Sequence, residues 1–138
     1  MDTVTLNFAA ILVAAVVNMV IGALWYSPLL FGNIWMKAMK FSTNDMKADK
    51  YMGARYAVAF LMGLMMIFVL AHYIAAFEAN TASMGAQAAF WPWLGFMVPV
   101  LAGDILWNNK PISVFVINAS HYLVALLVAG VILAVWQA

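Results

Sequence analysis

Cysteine is absent from this 138-residue chain and charge is scarce, with only 8% of residues Asp, Glu, Lys or Arg. The first absence excludes internal disulfides, thiolate metal sites, iron–sulfur clusters and cysteine nucleophiles. The second excludes an ordinary soluble domain, which carries about 25% charged residues. Here 68% of residues are hydrophobic and the net charge is +1. No basic patch interleaved with aromatics is present, which argues against nucleic acid as a partner. No pair of carboxylates lies within the apolar stretches, and no Ser, His and Asp share one depth along them. The chain is therefore not expected to be an enzyme.

What the chain has instead is four apolar runs, at about residues 6–27, 55–77, 86–107 and 112–136. A hydrocarbon core of about 30 Å needs about 20 apolar residues per helix, so each run can cross a bilayer. The four use up nearly the whole chain, which predicts one domain over residues 1–138: an all-α, up-down bundle of four transmembrane helices whose solvent is lipid. Lys37, Lys40, Lys47, Lys50 and Arg55 fall in the first connection and Lys110 in the third. The positive-inside rule then places those connections in the cytoplasm and both termini outside, as in a bacterial inner membrane. The first run lacks a basic leader and exceeds the h-region of a secretion signal, so it reads as a span. Asn118-Ala-Ser120 matches a glycosylation sequon but sits inside the fourth run, out of reach of a transferase.

The joints carry local signals. Pro28 disfavours helix at Ser27 and ends the first span. Residues 29–41 then read as a short interfacial helix, with Gly32 and Asn33 near its start and lysines snorkelling past aromatics and methionines. Ser42 and Asp45 have capping-box spacing, predicting a helix that starts there and runs on into the second span. Pro92 and Pro99 should kink the third span, and Pro111 suits the first turn of the fourth helix.

Polar residues deep in a membrane are costly and mark either packing or function. Asn18, Asn118 and His121 fall at comparable depth, and Asn118, His121 and Tyr122 share a broad face with Ala125, so a midplane cluster is expected. Its simpler reading is an interhelical hydrogen-bond set, with His121 bonded to Asn18 or to water; the sharper one is a ligand, proton or ion site. Small residues at Ala10, Ala14, Asn18 and Gly22, at Ala59 and Gly63, and at Ala125 and Ala129 predict close helix contacts. Arg55 and Asp104 are expected to pair at the basic end. His72 lies near the opposite interface, about 10 Å in depth from His121 by helix rise, which excludes a bis-histidine haem. Met62, Met65 and Met66 are read as lipid-facing or packing side chains rather than a copper site. No metal or cofactor is expected.

Asn7, the string Gly22-Ala23-Leu24-Trp25-Tyr26-Ser27-Pro28, and Phe31-Gly32 followed by Trp35 strongly resemble a membrane-protein family known as the domain of unknown function 1761. The resemblance extends more loosely over the whole chain. It implies a small four-span membrane protein with no assigned activity, so no functional residues carry over. Physically, Trp25, Tyr26, Phe31 and Trp35 gather aromatics around a bend containing Ser27, Pro28 and Gly32, as an anchor at the interface or a lid over the bundle end.

Two main functions follow from these residues. One is a packing or binding subunit of a membrane oligomer or complex, favoured by small-residue stripes and missing catalytic chemistry. The alternative is a small transporter or channel with a polar path through Asn18, Asn118 and His121. A weaker third is a lipid-modifying enzyme using Asp104, Asn108 and Arg55.

Overall fold

The computed structural model describes residues 4–137. Its elements are α1 (Phe8–Trp25), α2 (Gly32–Met39), α3 (Thr43–Ala48), α4 (Met52–Ala76), α5 (Ala82–Pro92), a π-helical turn (Trp93–Met97), α6 (Val98–Leu106) and α7 (Ile112–Val135). No strand occurs among the described residues. Four helical stretches are long and apolar enough to cross a membrane: Phe8–Trp25, Met52–Ala76, Ala82–Leu106 and Ile112–Val135. The expected four-span bundle, with a short helix after the first span, is therefore the architecture observed.

Local chemistry sets the helix ends. Asn7 opens α1, its side-chain oxygen accepting from the Ala10 N–H at 3.2 Å, which satisfies one of the donors a helix start leaves free. The predicted capping box at Ser42 and Asp45 is present in both directions. The helix it starts does not continue into the second span, however. It ends at Ala48, where Asp49 turns extended and its carboxylate accepts from the Tyr51 N–H at 2.8 Å. A short carboxylate that bonds the backbone two residues on offers the chain an alternative to helix, and it prevails here.

The third span departs from regular α-helix between its two prolines, in a form that proline alone does not specify. Pro92 and Pro99 have no N–H, so each interrupts the regular ladder. Between them the chain widens into the π turn, where the Val98 N–H bonds the Trp93 carbonyl five residues back. Such single-turn bulges are frequent at functional sites, and this one begins at Trp93.

The bundle is organised around α7, which packs against α1, α2, α4, α5 and α6. Its closest neighbour is α5. A Cβ added at Gly85 would fall on the backbone of Gly130, and one at Gly130 on the backbone of Gly85 and within 2.9 Å of the Ala89 Cβ. Without water to drive association, membrane helices are held by such van der Waals contact, and small residues permit it. Ala10 and Ala14 of the predicted α1 stripe are buried, as are Ala125 and Ala129. The α4 stripe holds only in part: Gly63 is buried but Ala59 is exposed. Indeed the whole stretch from Gly53 to Ala59 is exposed, so the basic half of α4 stands away from its own bundle.

Candidate functional site at the basic end

The polar side chains of the bundle interior collect where α1, α2 and α7 meet. The sequence after Pro28 folds back sharply: the Phe31 N–H bonds the Trp25 carbonyl at 3.0 Å and the Gly32 N–H bonds that of Ser27 at 2.9 Å. The Ser27 hydroxyl donates to the Leu24 carbonyl at 2.6 Å. Gly32 is needed for closeness rather than for an unusual backbone angle. A Cβ there would meet the Tyr26 carbonyl oxygen and approach the Ser27 carbonyl to 2.7 Å. The turn brings the Phe31 ring to 5.0 Å from Trp25 and the Trp35 ring edge-on to Tyr26 at 5.6 Å. The motif residues thus form two ring pairs at the joint of α1 and α2, with α2 packed against α7.

Two indoles grip α7 from different helices. Trp25 Nε1 donates to the Ile117 carbonyl at 3.0 Å, and Trp93 Nε1 donates to the Ala119 carbonyl at 2.8 Å. Between them, Asn118 accepts from the Tyr26 hydroxyl at 2.7 Å. The Ser120 hydroxyl donates back to Val116 at 2.6 Å. Bonds of this kind contribute about 0.6 kcal/mol each in membrane helices, so their value lies in fixing helix rotation. Trp93 is not among the residues that the sequence singles out. Its one visible signal is its position directly after a helix-interior proline.

His121 is the single buried polar or charged residue of the described chain, at 8% exposure. Its ring is lined by Tyr122 at 4.8 Å, Tyr26 at 5.2 Å and Trp25 at 6.3 Å. On its remaining side Gly22 leaves room, since a Cβ there would lie 3.4 Å from Nε2. Neither ring nitrogen has a hydrogen-bond partner, and the same holds for Asn18 Oδ1 and Trp35 Nε1. The expected bond between His121 and Asn18 is not formed. Asn18 instead turns its amide toward α4, where a Cβ on Gly63 would lie 2.5 Å from Nδ2. Depth along a helix places residues at one level, but rotation about its axis decides whether they meet.

The expected Arg55–Asp104 pair is also corrected. Arg55 Nε, in the first turn of α4, bonds Asp49 Oδ2 in the preceding connection at 2.7 Å, while Asp104 accepts from Asn108 Nδ2, just past the end of α6, at 2.8 Å. Each charge finds a partner a turn or two away in sequence. The Asp49 carboxyl is held below the ordinary carboxylate range by the Tyr51 N–H and then by Arg55. His72 points its Nδ1 at the Phe68 carbonyl, 2.9 Å away, and the Phe68 ring stands edge-on to it. Met62 and Met65 are exposed, whereas Met66 packs against the core.

Four helices long and apolar enough to cross a membrane, with an aromatic turn after the first of them, define a small integral membrane protein. The chain belongs to the family described as protein of unknown function, DUF1761, whose model matches residues 9–134. That match takes in the whole inner cluster and the turn. No curated protein and no solved structure matches the chain.

Proposed function

We propose that this protein is a packing subunit of a membrane oligomer or complex, assembling through the basic half of α4. The observation that supports this is the run of exposed residues from Gly53 to Ala59. A bundle helix normally covers one face, yet here nearly two turns have every side uncovered. Gly53, Ala54, Ala57 and Ala59 present little side-chain bulk, and such surfaces let a neighbouring helix approach closely in lipid. On this reading the aromatic turn and the His121 box hold the subunit rigid, and the uncovered half-helix receives a neighbour.

Because the chain has no cysteine, introduced thiols report cleanly. Ala57→Cys is expected to give an oxidative crosslink in native membranes, to itself or to a partner, while Val100→Cys, on exposed α6, gives none. Absence of any crosslink at Ala54, Ala57 and Ala59 alike would overturn the reading.

The same reading sets the protein in a plasma membrane of bacterial type, with the lysine-bearing connections in the cytoplasm. Lys47→Cys is then expected to resist a membrane-impermeant thiol reagent on intact cells and to react once the membrane is opened. Labelling on intact cells would reverse the orientation.

A further inference from the structure

At the end of the bundle opposite the lysines lies a second site with a different character. A cavity of about 300 Å³ opens between the start of α1 and the ends of α4 and α7. Ala71, Ile74 and Leu133 are buried apolar residues that line it. Glu78 and Trp136 line it as well, together with Asn7. Its walls are tied to one another: Asn7 Nδ2 donates to the Trp136 carbonyl at 3.2 Å, and Gln137 Nε2 donates to the Ala79 carbonyl at 2.5 Å. We infer that this cavity binds a primary ammonium group carried on a short apolar stem, with the Glu78 carboxylate as its counter-ion.

Charge distribution selects the sign of the ligand. All six basic residues lie at the far end, in the connections or, for Arg55, in the first turn of α4, and Asp45, Asp49 and, near the end of α6, Asp104 lie there too. Glu78 is the one carboxylate at its end among the described residues. It takes part in no ion pair or side-chain hydrogen bond there. Among those residues an anionic ligand would meet no cation and one carboxylate, whereas an ammonium brings three donors to a lining that includes Glu78, Asn7 and Asn80. The Trp136 indole adds a ring of the kind that attracts cations. The buried apolar lining and the volume, at the small end for ligand cavities, suit a stem of a few carbons.

The helix closure fixes where Glu78 stands. Glu78 stands just past the end of α4 with φ 52°. Its N–H bonds Ala75 and the following Ala79 N–H bonds Ile74, the helix-closing pattern in which glycine is usual. A non-glycine residue in that conformation is uncommon; it recurs at Lys40 and Asn109, and here it places Glu78 among the residues lining the cavity.

The ammonium has two chemical sources, a free amine in the outer solution or the headgroup of an aminophospholipid. Both are separable by calorimetry of the intact protein in lipid nanodiscs. In phosphatidylcholine discs, butylammonium is expected to bind saturably, and the neutral isostere butan-1-ol about tenfold more weakly or not at all. Glu78→Gln is expected to weaken butylammonium about tenfold while leaving the melting temperature unchanged. Substituting phosphatidylethanolamine into the discs separates the sources: a fall in apparent butylammonium affinity assigns the site to the headgroup, and an unchanged affinity assigns it to the free amine. No saturable binding, equal binding of the alcohol, or undiminished binding by Glu78→Gln would each overturn the inference. None of these outcomes depends on whether α4 meets a partner at its other end.

Discussion

Gly130→Ala is expected to destabilise the bundle by about 1–3 kcal/mol and to lower its detergent melting temperature by on the order of 5 °C. The added methyl would enter the space occupied by the Gly85 carbonyl and press on the Ala89 Cβ at 2.9 Å. Backbone cannot rotate aside as a long side chain does, so α5 and α7 must separate along a seam where contact is the chief attraction. Two other glycines calibrate the effect. At Gly63 the new Cβ would meet only the Asn18 amide at 2.5 Å, a side-chain end that can swing, so Gly63→Ala should cost less. At Gly103 nothing lies within 4 Å, and alanine, the better helix former, should be neutral or stabilising. Melting curves of the three variants in one detergent check the ranking. Equal losses at Gly130 and Gly103 would show that the seam is not the tight contact described.

Gly32→Ala is expected to release α2 from the bundle. Its Cβ would fall on the Tyr26 carbonyl oxygen and within 2.7 Å of the Ser27 carbonyl, both fixed backbone atoms of the turn. Opening the turn would break the Gly32 to Ser27 hydrogen bond and draw the Trp35 ring off Tyr26. The cost expected from overpacking is again about 1–3 kcal/mol. The diagnostic change is local: amide exchange over residues 30–39 should accelerate by at least about tenfold, while α5 and α7 keep their protection. Unaltered exchange across that segment would mean that the turn tolerates a methyl group and does not fasten α2.

Many of these features are legible in the amino-acid sequence. Asn7, the Ser42 and Asp45 box, Pro28 and the prolines of the third span act on backbone groups a few residues away, so they mark helix boundaries along the chain. The aromatic turn is legible as a unit for the same reason, since Trp25, Tyr26, Phe31, Gly32 and Trp35 lie within eleven consecutive positions. Where sequence expectation and fold differ over a charge, the competing partner is local. Asp49 breaks the helix expected to run into α4 and takes Arg55 from Asp104, because a nearby carboxylate loses less chain entropy on pairing than a distant one.

Composition and residue order are enough to settle the class of protein, the number of spans and the end of the bundle at which every basic residue gathers. Which helix faces meet is settled only by packing in three dimensions. In lipid both the buried and the exposed side of a helix are apolar, so hydropathy carries little of the rotational signal that marks a buried face in water. Hence the Gly85–Gly130 seam, the indole of Trp93 on Ala119, and the parting of Asn18 from His121 emerge only when the helices are set side by side. The cavity beside Glu78 is of the same kind, since its walls come from the two ends of the chain and the α4–α5 turn between them.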